Sequence, residues 1–88
     1  MKRRNKKFEM EFARFRKNFG AVVRQLRKKA RLSREELARR AKLSTSTLAH
    51  IEQGHGNPLL SRMENLAVAL NHRLSHIFKL AQDMDEGK

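Results

Sequence analysis

Residues 33–54 read SREELARRAKLSTSTLAHIEQG, and this stretch decides the fold. Ser33 has the composition of a helix N-cap, and Glu36, three residues on, completes the capping-box pattern. Leu37, Ala38 and Ala41 then supply one apolar face of a short helix. Lys42 turns the chain, Ser44 caps a second helix, and Leu48 and Ile51 are its inward positions. Gly54 stops it. Two short helices joined by a tight turn follow. The outer face of the second carries Thr45, Ser46, Ala49 and His50, so hydroxyls and an imidazole stand where a charged surface is the usual choice.

Upstream, apolar residues fall at 8, 12, 15, 19, 22 and 26, a helical stripe that Val23 widens toward a core. Gly20 lies inside the stripe and costs about 1 kcal/mol in a helix interior. The pattern therefore fits one long helix, or two broken near Asn18–Gly20, ending at Arg31–Leu32. Downstream, His55–Gly56 reads as a loop and Asn57–Pro58 as a helix start. Leu60, Met63, Leu66, Ala67 and Leu70 line the next helix, and Asn71 suits a left-handed ending. Leu74, Ile77, Phe78 and Leu80 make a last short helix, with Arg73 a poor cap for it. No strand signal occurs, so the expected class is all-α. The expected divisions are a basic, partly helical extension (1–18) opening on a disordered arm (1–7), a helical domain (19–82) and a frayed acidic tail (83–88).

The chain has 88 residues, a net charge of +12 and no cysteine. That length allows one domain with a marginal core, for which self-association is a reasonable expectation. The charge is one-sided. Residues 1–18 hold eight Lys/Arg against two Glu, residues 19–42 nine against two, and residues 43–88 four against five acids. A front half this basic favours a polyanion. No apolar run approaches the roughly 20 residues of a membrane span, and Glu9, Glu11 and Arg14 interrupt any signal-peptide core after MKRRNKK. A cytoplasmic location is expected. Enzyme chemistry is not: no nucleophile set, phosphate loop or paired buried carboxylates can be defended. His72 and His76 lie across an expected helix break with no cysteine beside them, so neither a metal nor a cofactor is expected. Aromatic platforms for single strands are poorly represented, with no Trp or Tyr.

Residues 19–80 resemble the Cro/C1-type (XRE) helix-turn-helix family, the fold of lambdoid phage repressors. The resemblance is carried by FGAVVRQLRKKARLSREELARRAKLS, STLAHIEQG, the Asn57–Pro58 pair and LAVAL. It implies five helices, with the third, about 44–53, lying in the major groove of DNA and the second, about 34–41, across the backbone. Thr45, Ser46, Ala49 and His50 match the family's base-reading positions. Hydroxyls bond either donors or acceptors on base edges, Ala49 suits a thymine methyl, and His50 suits guanine N7 or O6. Phosphates would dock at the helix N-termini of Ser33 and Ser44, at Arg34 where the family usually has Gln, and at Lys42, Thr47, His55 and Asn57 around the groove. The resemblance pairs Arg27 with Glu52 as a structural lock. It also places Arg31 and Lys42 where the family often has left-handed Gly, at about 1–2 kcal/mol each for any other residue.

The implied function is a sequence-specific regulator of transcription bound as a homodimer to a palindrome, with Ile77, Phe78 and Leu80 as the dimer contacts. An antitoxin-type protein that holds a partner, or a nonspecific architectural binder, are the alternatives. Phe8, Phe12 and Phe15 leave three readings open: packing back on the domain, contact with a second copy or a protein partner, and attachment to a membrane surface. No membrane role is expected in the reading preferred.

Overall fold

A computed structural model describes residues 6–86, the side chain of Glu86 excepted. Five helices follow in order: α1 Lys6–Lys29, α2 Arg34–Ala41, α3 Thr45–Glu52, α4 Leu60–Ala69 and α5 Leu74–Glu86. There is no strand among the described residues. α1 packs against α3 and α5, α2 against α3 and α4, and α4 against α5. Phe19, Leu37, Leu48, Leu66 and Ile77 are fully buried at the centre.

The helix ends are written locally. Ser33 Oγ accepts from the Glu36 N–H at 3.0 Å, and Ser44 Oγ from the Thr47 N–H at 3.0 Å, each satisfying an orphan donor of the first turn. The carboxylate of Glu36 turns to Arg39 and Arg40, at 3.6 and 3.7 Å. Four C-termini close with a left-handed residue, at Arg31, Lys42, Gly54 and Asn71. In each, the next residue donates back to the last turn: Leu32 to Arg27 O, Leu43 to Ala38 O, His55 to His50 O and His72 to Ala67 O. This is the six-to-one closure that satisfies the carbonyls a helix leaves open.

Four expectations are corrected. α1 includes Lys6 and Lys7, expected in the disordered arm, and its unbroken run through Gly20 is the one-helix alternative of the two; residues 1–5 of the expected arm lie outside the described residues. α4 starts at Leu60 behind Leu59, which offers no side-chain cap, because Asn57 is drawn to α1 instead: its Oδ1 accepts from Arg16 Nη1 at 3.2 Å. Residues 83–86 are helical, held by Asn18, whose Nδ2 donates to Ala81 O at 3.2 Å and to Asp85 Oδ1 at 2.9 Å. Ile77 is fully buried within the monomer and presents no surface to a second copy.

Gly20 explains the unbroken α1. A Cβ there would stand 2.1 Å from Ile51 O and 2.9 Å from Glu52 O. The glycine lets α1 lie backbone-to-backbone on the C-terminal end of α3, and that contact outweighs its poor helix propensity. Of the phenylalanines upstream, Phe15 packs on Phe19 and Phe78 with ring centroids 5.9 and 5.5 Å apart. Phe8 and Phe12 stack on each other and stay 68% and 47% exposed.

Candidate nucleic-acid interface

α3 is anchored on one side and open on the other. Leu48, Ile51 and Glu52 are buried, while Thr45, Ser46 and His50 are exposed and Ala49 half-buried. The open face carries no carboxylate, and its polar groups are hydroxyls and an imidazole, whose bonding capacity suits base edges. Thr47 is partly engaged: Ser44 Oγ donates to its Oγ1 at 2.8 Å, leaving the Thr47 hydroxyl hydrogen for an outside acceptor.

Beyond the C-terminal end of α3, Thr47, His50, His55, Asn57 and Arg62 line a shallow notch of about 140 Å³. His50 and His55 meet edge-on, with centroids 6.2 Å apart. The notch brings together three of the expected phosphate contacts, Thr47, His55 and Asn57. It adds Arg62, which periodicity marks only as an outward position of α4. Lys42 is exposed at the left-handed turn between α2 and α3. Ser33 and Ser44 cap the two helix starts, as the expected docking positions require.

Glu52 is the anchor of α3. Its carboxylate, 1% exposed, accepts from Arg27 Nε at 2.7 Å and Nη2 at 3.3 Å, and from Arg34 Nε at 3.1 Å. Arg27, 10% exposed, also donates to Leu32 O at 3.0 Å. The expected pair is thus a triad joining α1, α2 and α3. Arg34 is more committed than the sequence suggested: its Nε serves the lock, and only its terminal nitrogens are left for a phosphate.

Residues 18–72 match the family described as the helix-turn-helix domain, and the chain belongs to that family, in its Cro/C1 type. It is 41% identical over 58 residues to the immunity repressor protein of Bacillus phage phi105, an alignment covering 66% of this chain and 40% of that protein. It is 35% identical over 68 residues to the competence pilus inhibition repressor of Acinetobacter baylyi, covering 77% of this chain and 62% of the relative. The chain therefore spans less than two thirds of either relative. Among solved structures, the restriction-modification controller protein C.AhdI of Aeromonas hydrophila superimposes with a TM-score of 0.68 at 33% identity, over 69% of this chain and 92% of its own. The clp gene regulator ClgR of Corynebacterium glutamicum reaches 0.77 at 21% identity, over 80% and 74%, a likeness of fold alone.

Proposed function

We propose that this chain is a sequence-specific regulator of transcription that binds duplex DNA with α3 in the major groove. The observation that carries the reading is the two-sided construction of α3: a triad of charges and two apolar side chains hold one side rigid, and an acid-free face of small polar side chains is left open. Rigid support with outward hydrogen-bonding groups is what base readout needs. Thr45, Ser46, Ala49 and His50 read the bases in this proposal. Ser33, Ser44, Thr47, His55, Asn57, Lys42 and the free end of Arg34 hold phosphates and set register. Membership of the helix-turn-helix family supports a binding role rather than catalysis, and two repressors among the relatives favour repression.

The protein acts as a homodimer in this reading. Residues 43–88 carry four basic against five acidic residues, so a face drawn from them can bring two copies together without opposing strong like charges. Phe78 and Leu80, both half-buried, stay as candidate contacts there, and the exposed Val68 of α4 joins them. Among the described residues no helix is long and apolar enough to cross a membrane, and a DNA-bound regulator works in the cytoplasm.

Selection of bound duplexes from a random pool at about 0.15 M salt tests the reading, since salt at that level suppresses phosphate-only binding. A two-fold consensus with half-sites about one helical turn apart is expected. Binding without enrichment would replace the reading with that of a nonspecific binder, and absence of binding would sink it.

A further inference from the structure

The α1 extension meets the candidate interface at the loop that leaves α3. A Cβ on Gly54 would lie 2.9 Å from Lys17 Cα, so the loop leaving α3 rests directly on α1 at that residue. One position earlier, Arg16 reaches over the same loop. Its Nη1 donates to Asn57 Oδ1 at 3.2 Å, and its guanidinium carbon lies 5.5 Å from the centre of the Phe12 ring. The guanidinium is therefore held from two sides, by a neutral oxygen and by an aromatic face.

It is held without being neutralised. Arg16 has no carboxylate partner among the described residues, which is also true of Arg24, Arg31, Arg62 and Arg73; those four are exposed, whereas Arg16 is half-buried and held by an amide oxygen and a ring. Its Nε is buried with no hydrogen-bond partner among the described residues. An unpaired buried N–H lowers stability. A rigid, uncompensated cation that weakens the fold at its own root is poorly explained as a structural brace. It is well explained as a preorganised anion contact, in which the ordering cost is met before the ligand arrives.

We propose that Arg16 and Asn57 together clamp one backbone phosphate of the duplex beside the C-terminal end of α3, making the Phe-rich extension of α1 part of the DNA-binding surface. This rests on the DNA-binding reading above. Asn57 offers its amide N–H donors to the phosphate while its oxygen fixes Arg16. Arg16 offers the remaining guanidinium N–H groups and the charge. Phe12 sets the plane of the guanidinium, so the stacked Phe8–Phe12 pair stiffens the support rather than docking a protein.

The test uses the full chain, a duplex taken from the selection above, and the salt dependence of affinity measured well below the thermal transition. Arg16→Met keeps an unbranched stem and removes the charge. Its affinity is expected to fall about tenfold at 0.15 M salt, the size of one charge-assisted hydrogen bond. The log–log salt slope is expected to shrink by about 0.9, one neutralised phosphate. The melting temperature should be unchanged or raised, because the buried unpaired N–H is gone. Arg16→Lys should restore the slope. Unchanged affinity and slope in Arg16→Met, with wild type binding normally, would overturn the clamp and leave the DNA-binding reading intact. Weaker binding at unchanged slope would also overturn it, reducing Arg16 to a support for the loop. A wild-type chain that binds no duplex would remove both proposals at once.

Discussion

Gly20→Ala separates two physical arguments that disagree in sign. Helix propensity alone expects the change to stabilise α1 by about 1 kcal/mol, since Ala is the better residue in a helix interior. The tertiary structure expects the reverse. The added Cβ would meet Ile51 O at 2.1 Å, where ordinary contact begins at 3.4 Å, so α1 and α3 have to separate by more than an ångström. The obstacle is backbone and cannot rotate away. Overpacking of a tight interface typically costs about 1–3 kcal/mol and sometimes more. The separation also stretches the Arg27–Glu52 bonds, now 2.7 and 3.3 Å, which join the same two helices. A backbone clash this deep belongs at the upper end of the overpacking range, about 3 kcal/mol, and subtracting the propensity gain leaves an expected net loss of about 2 kcal/mol. For a domain of this size that lowers the melting temperature by roughly 8–16 °C. Thermal unfolding followed by circular dichroism at 222 nm measures it. A melting temperature equal to or above wild type would refute the reasoning, because it would mean that α1 does not lie on the α3 carbonyls.

Three further outcomes are expected. Glu52→Ala leaves Arg27 buried with only Leu32 O as acceptor, and should cost about 3 kcal/mol in urea unfolding; Arg34, 37% exposed, can turn to water and adds little. An unfolding midpoint matching wild type would contradict the triad. Lys42→Gly relieves a φ of +60° and should raise stability by about 0.5–1 kcal/mol, less than the strain itself because glycine also gains freedom in the unfolded chain; a loss of stability would count against the left-handed turn. His50→Ala should relax preference at one base position in a repeated selection while leaving the salt slope unchanged, and an altered slope would make His50 a phosphate contact instead.

The chain's own order of residues determined most of what acts within about one helical turn, the return half of the Ser33–Glu36 capping box excepted, since the Glu36 carboxylate turns to Arg39 and Arg40. Ser33 and Ser44 mark helix starts because a hydroxyl reaches only the N–H two or three residues on. Arg31, Lys42, Gly54 and Asn71 mark helix ends because the closing bonds span five or six residues. The spacing of Leu48 and Ile51 placed Thr45, Ser46 and His50 outward, because 3.6 residues per turn leaves no other face. The Arg27–Glu52 pair became legible through family resemblance, and not from spacing.

Tertiary structure decided what depends on partners far along the chain. Whether Gly20 breaks α1 was settled by carbonyls 31 and 32 positions away, not by its propensity. Arg34 was drawn partly off its expected phosphate role by a carboxylate 18 residues on. Asn57 was drawn from capping α4 to meet Arg16, across 41 residues. Ile77 and Phe15 share the composition of surface contacts, yet one closes the core and the other packs on Phe78. In each case the local pattern left the outcome open, and a long-range contact chose it.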